Sequence, residues 1–301
     1  MVKVVDPGML STIQDLPRFG LARFGLSEAG AMAPESFREA NWLAGNDQEL
    51  PSIEVTMKAP RLLFLAPAII GLGGADFGWR LDGKVTPRGE GFSVRAGAML
   101  QGEYCRQGLR GYIAFGGGLA VKRWYGSAAT QVQAQMGGQV LRKGDELSWI
   151  GGTAARRCQE TFAGPAYRGS YKILRVVEGP HPELFGPEAF AQLTAGLYRI
   201  TEKSTRTAVR LEGLAIPCPA EPMVSAGAWY GAIQVPPSGI PQILGPDHPA
   251  TGGYPIVGSV IAADFEVMGQ LRPREEVRLG RVSRETARQL WKRQQDWWSA
   301  R

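Results

Sequence analysis

The sequence predicts a mainly β protein with a few helices, divided into two β domains of similar size. Three observations carry this. Short apolar runs rich in β-branched and aromatic residues, punctuated by glycine, recur along the whole chain. The 40 glycines and 21 prolines are spread out rather than gathered in one tract, which fits many tight turns and argues against a collagen-like or disordered chain. Only three segments carry helical periodicity. Strands this short and this dense point to barrels or closed sheets rather than to a doubly wound parallel sheet.

In chain order, the first helix begins at Pro34, a favourable first helical position, with Phe37, Ala40, Asn41 and Ala44 on one face and Gly45 past its end. Strands follow at 61–65 and 110–115, with turn chemistry at Asp82-Gly83 and Gly144-Asp145. Gly151-Gly152-Thr153 and a basic, small-residue stretch lead to Gly169-Ser170, so the boundary is placed between residues 160 and 161. The domains are then 1–160 and 161–301. The second opens with a strand at 171–177, continues through a helix from Pro187 to Ala195 stopped by Gly196, and has a late strand at 276–279. A last helix is capped by Ser283 and sets Ala287, Leu290, Trp291, Gln294, Trp297 and Trp298 at helical spacing. That stripe either packs on its own domain or stands open to a partner.

Composition narrows the function. The 44% apolar content supplies a core, and no run approaches the roughly 18 apolar residues of a membrane span. Residues 1–6 do not resemble a signal peptide, and Cys105, Cys158 and Cys218 are too scattered for a zinc site or disulfide framework. A cytoplasmic location without a metal is therefore expected. The net charge of +6 is mostly interleaved with acids, apart from Arg156-Arg157 and the basic C-terminal tail, so nucleic acid is not the expected partner.

Templates for phosphate-binding loops, serine hydrolases and zinc peptidases are missing. The clusters Gly71-Leu72-Gly73-Gly74 and Gly116-Gly117-Gly118 read first as turns with close backbone approach. The two histidines, His181 and His248, lie in proline-rich loops; His248, beside Asp247 and before Thr251-Gly252-Gly253-Tyr254, is a candidate base. In Ser11–Gly20, Asp15 and Arg18 either pin a turn or, with Gln14, line a pocket for an amide or carboxylate. Residue type leaves both open.

The ordered set of these segments resembles a known family. Ser11–Gly20 is similar to its T-x-Q-D-x-x-R-x-G opening, Ala40–Asn46 to A-N-x-L-x-G-N, and Ile53–Thr56 to L-E-x-T. Gly74-Ala75-Asp76, Gly108–Tyr112, Gly116–Gly118, Gly126-Ser127, Gly179–His181, Gly231–Pro236, Thr251–Pro255 and Ala263-Asp264 follow in order. On these motifs the chain is identified as a member of the KipA/PxpC group, which is allophanate hydrolase subunit 2-like and grouped with biotin-dependent carboxyltransferases.

The resemblance implies two cyclophilin-like β-barrel domains and a non-autonomous, C-type component of a 5-oxoprolinase. Such a complex opens 5-oxoproline to L-glutamate using ATP, with a KipI/PxpB-like component and a LamB/YcsF-like component as partners. Alternatives are the carboxyltransferase component of a biotin-dependent urea or amide carboxylase, where biotin enters, and a non-catalytic regulatory subunit. Expected roles are substrate orientation for Gln14, Asp15 and Arg18, charge stabilisation for Arg206, proton handling for Asp247 or His248, and hydrogen bonding for Gln234, Thr251 and Tyr254. Alanine or threonine replaces a polar family residue at Ala29, Ala33, Thr205, Ala226 and Ala250. At Ala33 the loss is that of an N-cap before Pro34, worth about 1 kcal/mol.

Overall fold

The structure is a computed structural model that describes residues 1–87, 89–157, 171–218 and 223–301. The domain boundary expected at residue 160 lies outside the described residues, as does Cys158. The chain divides into two compact units, one of Met1–Phe19 with Ala29–Gly164, the other of Gly20–Glu28 with Pro165–Arg301. As expected, the molecule is mainly β with a few helices.

In the first unit the strands form two antiparallel sheets. One has the order Glu146–Leu147, Val2–Asp6, Arg61–Phe64, Met99–Gln101, Arg80–Leu81, Lys84–Val85. The other has the order Leu10–Gln14, Ser52–Thr56, Gln107–Phe115, Ala68–Asp76, Phe92–Val94. Period-two alternation sends Val2, Val4, Leu62 and Phe64 of the first and Ile13, Ile53, Ile70 and Ile113 of the second into one core. Phe115 stacks on Trp149 there, 5.4 Å between centroids. The Asp82-Gly83 turn has positive φ at both residues (50° and 80°), the geometry that joins two strands with two residues.

The first helix, α1 (Pro34–Leu43), lies on the outer face of the second sheet. Even-numbered Tyr112 and Ala114 of the central strand meet its Phe37, Ala40 and Ala44, while Ile113 and Phe115 face the intersheet core. The Gly71-Gly73-Gly74 cluster, read from sequence as a turn, lies in the Ala68–Asp76 strand. Close approach is its purpose: a Cβ at Gly71 would sit 2.1 Å from the Ala40 carbonyl oxygen, and one at Gly73 2.2 Å from that of Ser36. The helix backbone rests directly on the sheet. Its amide-rich end is also structural. Asn41 donates to Leu50 O (2.9 Å) and Ser52 Oγ (3.0 Å), and Asn46 bridges Asn41, Phe115 O and Gly117 N.

The second unit is a closed barrel of seven strands in the order Tyr171–Glu178, Ile256–Val260, Ala232–Gln234, Gln242–Leu244, Ala208–Glu212, Leu197–Ile200, Glu276–Arg281. The last strand returns to the first, and this closing pair is parallel over Tyr171–Val176 and Glu276–Arg281. Alternation buries Leu174, Val176, Val277 and Leu279 and exposes Arg278 between the latter two. The second helix, α2 (Ala189–Ala195), starts two residues later than Pro187 and packs Phe190 and Leu193 on the barrel. Its Gly196 is extended, not left-handed, so the chain turns straight into a strand. A short helix that periodicity does not reveal, α3 (Phe265–Gly269), follows the buried Asp264, which pairs with Arg175. The last, α4 (Arg284–Ser299), is capped as expected, Ser283 Oγ accepting from Thr286 N at 3.0 Å. Its tryptophans split between the two expected fates: Trp298 is 4% exposed and Trp291 49%.

Candidate functional site

Each unit carries its own cluster of the expected site residues. In the first, Gln14, Asp15 and Arg18 are all buried at the end of the Leu10–Gln14 strand. The strand end runs beside residues 127–130, tied by Thr130 N to Ile13 O (3.0 Å). Asp15 organises this contact. Its carboxylate accepts from Ser127 Oγ (2.6 Å) and Ala128 N (2.8 Å), and faces Arg123 at 3.4 Å. Arg18 donates to the Ala129 carbonyl. Ser127 and Arg123 are thus partners of Asp15 that sequence reasoning missed; Gly126-Ser127 in the motif order was the only signal.

Gln14 is different in kind. Its Nε2 donates to Thr12 Oγ1 (3.0 Å) and Thr130 O (3.1 Å). Its Oε1 is shut off from solvent and meets no donor among the described residues. A buried acceptor left open costs roughly 1–3 kcal/mol. A second buried polar group of this unit is Glu54, which accepts from Tyr112 Oη (2.6 Å) and Met32 N (2.9 Å), while Tyr112 Oη accepts from Ala33 N (2.9 Å). The Ala29–Ala33 loop therefore holds its course through its amides although it lacks the polar family side chains. Ala33 is the N-cap of α1 and offers no side-chain acceptor, as its residue type requires.

In the barrel unit, Ala208 pairs with Leu244, and the chain beyond that rung brings Arg206 and Asp247 together. Gly245 N donates to Thr207 O (2.8 Å) and Asp247 N to Arg206 O (3.2 Å). The side chains form a two-pronged pair, Nε to Oδ2 at 3.0 Å and Nη2 to Oδ1 at 2.9 Å, with both residues under 5% exposed. His248 follows at 2% exposure. Its Nδ1 lies 2.8 Å from the Pro249 carbonyl, which only accepts, so Nδ1 carries the hydrogen. Nε2 is left as a buried nitrogen without a partner among the described residues.

Gln234, Thr251 and Tyr254 sit on the neighbouring ladder and loop. Gln234 is buried, and a Cβ on Gly252 would be 2.6 Å from its Nε2, so its amide abuts the Thr251–Gly252 strand. Thr251 and Tyr254 are exposed. Ala226 and Ala250, two of the departures, flank this strand: Ala226 pairs with Gly252, and Ala250 O accepts from Ala228 N (3.0 Å). His181 has a structural task, its Nδ1 accepting from Ile256 N at 3.2 Å. Among the described residues no group of three or more acids, histidines or cysteines is placed to hold a metal, and no helix is long and apolar enough to cross a membrane.

Comparison with known proteins gives a consistent set. Residues 24–281 match the family model described as carboxyltransferase domain, subdomain A and B. The chain is 32% identical over 295 residues to the C component of 5-oxoprolinase from Haemophilus influenzae, covering 96% of this chain and 94% of that protein. It is 30% identical over 321 residues to the urea amidolyase of Lachancea kluyveri, covering 96% of this chain but 17% of that protein. The crystal structure of the Kluyveromyces lactis urea carboxylase is similar with a TM-score of 0.89 at 27% identity, over 98% of this chain and 28% of that one.

Proposed function

The chain belongs to the carboxyltransferase domain family, subdomains A and B, and from that membership we propose that it is the C component of an ATP-dependent 5-oxoprolinase. In this reading it acts with a KipI-like partner and a LamB/YcsF-like partner to open 5-oxoproline to L-glutamate. The observation that carries the reading is the end-to-end match in length and sequence with the C component of a bacterial 5-oxoprolinase.

The substrate is a lactam whose amide is stabilised by resonance and needs its N–H and C=O held before attack. Gln14 is assigned to orienting the strand end on which the lactam is held, its own amide group being fixed by Thr12 and Thr130. Asp15 positions Arg123 and the Ser127–Thr130 loop, and Arg18 fixes Ala129, so these two build the cradle. In the barrel unit Asp247 takes both of its oxygens to Arg206 and serves as its support. The proton handler is then His248, whose ring is oriented by the Nδ1 contact to the Pro249 carbonyl and whose Nε2 meets no partner among the described residues. ATP does not fit the glycine clusters of this chain. Gly71 and Gly73 are covered by α1, and the amides of Gly116, Gly117 and Gly118 are spent on Ile69, Asn46 and Phe115. The nucleotide is assigned to the companion proteins.

The test is glutamate release from 5-oxoproline by this chain with both partners and ATP. Omitting this chain should abolish release; equal release without it refutes the reading. Structural similarity over 98% of the chain to a urea carboxylase favours a second reading, carboxyl transfer from carboxybiotin to urea or a related amide. Carboxylation of urea with a biotinylated partner, in place of glutamate release, would establish that one.

A further inference from the structure

A tight hairpin borders the cradle around Asp15. Trp124 and Ser127 pair across it, with Trp124 N donating to Ser127 O at 2.7 Å and Ser127 N to Trp124 O at 3.2 Å. Tyr125 and Gly126 make the turn, both at positive φ (52° and 84°), as a two-residue connection requires. One arm of the hairpin ends on Ser127, whose hydroxyl donates to Asp15. The other arm begins at Arg123, which faces the same carboxylate. The backbone therefore sets Arg123 at the rim of the cradle.

Three cations stand here, and two are spoken for. Arg18 is buried and donates to the Ala129 carbonyl. Lys122 holds its ammonium over the Trp124 ring, 4.4 Å from the centroid. Arg123 differs. Its Nη1 donates to Gly126 O at 3.1 Å and lies 3.4 Å from Asp15 Oδ2. Its Nε and Nη2 make no hydrogen bond among the described residues, and the side chain is 46% exposed where that of Asp15 is 1%. Asp15 already takes close bonds from Ser127 Oγ and Ala128 N, at 2.6 and 2.8 Å. Arg123 stands farther off than the roughly 2.7–2.9 Å of a charge-assisted bond, so Asp15 steers the guanidinium without consuming it. One nitrogen is anchored and the opposite edge, Nε with Nη2, reaches solvent. That edge is the planar fork that takes a carboxylate through two parallel N–H bonds, which a lysine cannot do.

We propose that Arg123 is a specificity residue of the cradle, its Nε–Nη2 edge gripping a carboxylate carried by the substrate beside the amide. This rests on the 5-oxoprolinase reading above. 5-Oxoproline carries such a group on its ring, ionised at neutral pH, whereas urea and a plain lactam do not. Arg123 then selects which amide enters, and the buried residues behind it keep the fork in place.

The experiment is steady-state glutamate release by the full chain with both partners and ATP, as 5-oxoproline is varied. 2-Pyrrolidinone, the same lactam without the carboxylate, is added as a competitor. Arg123→Gln should raise KM for 5-oxoproline by about tenfold or more and leave kcat within about twofold. The inhibition constant of 2-pyrrolidinone should not move, because that molecule gives Arg123 nothing to hold. Arg123→Lys keeps a charge beside Asp15 without the fork, and should recover part of the loss. Circular dichroism melts verify that both variants fold. Wild-type KM in both variants overturns the inference and leaves the proposed function standing. So does an equal rise in KM and in the 2-pyrrolidinone constant, which would make Arg123 a support of the cradle alone. Absence of glutamate release with the wild-type chain overturns the proposed function, and this inference with it.

Discussion

The Arg206–Asp247 pair shows how two buried charges come to depend on each other. Both partners are buried, so removing one strands a charge. Arg206→Ala should cost about 3–5 kcal/mol of stability, and the double variant Arg206→Ala with Asp247→Ala should recover part of that loss in a urea-denaturation cycle. Additive losses would mean that the two do not act as a pair. Tyr198 offers a cleaner test of buried polarity. Its ring is fully buried, its hydroxyl has no partner among the described residues, and burial pushes its pKa up from 10.0 to about 12. The unfolded chain releases the phenolic proton from about pH 10 while the folded chain holds it. The contribution to stability is therefore complete below pH 10.0 and is lost as pH rises towards 12. Tyr198→Phe should be neutral or stabilising by about 1 kcal/mol at pH 7, and should flatten the alkaline decline in thermal melts. A steeper decline in the variant would contradict this account.

At the level of elements, the contact between α1 and the Ala68–Asp76 strand depends on a missing side chain. Gly73→Ala should lower stability by about 1–3 kcal/mol, seen as a lower melting temperature, because its methyl group meets helix backbone that cannot rotate away. Gly186→Ala is the control: nothing lies within 4 Å of its Cβ, and the change should be neutral or slightly stabilising. This pair also shows what the sequence discloses. Pro34, Gly45 and Ser283 announce their helices because capping is decided by neighbours in the chain. The glycines of 71–74 read as a turn because their reason, a helix some 30 residues earlier lying across them, is non-local. The five-residue α3 is too short to show a period. The cradle around Asp15 required Ser127, 112 residues away, and Arg206 required Asp247, 41 residues away; only strand register brings such pairs together. The motif order named segments without saying which of their residues hold one another.

For the whole molecule, the barrel unit makes the strongest demand. Ending the chain after Val282 removes α4 and the buried Trp298 but leaves all seven barrel strands. That variant should keep its β-type circular dichroism with a lowered melting temperature. Ending it after Glu275 removes the Glu276–Arg281 strand, opens both of its neighbours, and should yield no cooperative melt of the barrel. The parallel pairing of Tyr171–Val176 with Glu276–Arg281 has a consequence during biosynthesis as well. The first of these strands leaves the ribosome with both edges unsatisfied, waiting about eighty residues for Ile256–Val260 and about a hundred for Glu276–Arg281. Over that interval the nascent chain carries a sticky, hydrogen-bond-hungry border, which makes it a natural client for chaperones and a place where slow codons or heat would divert it into aggregates.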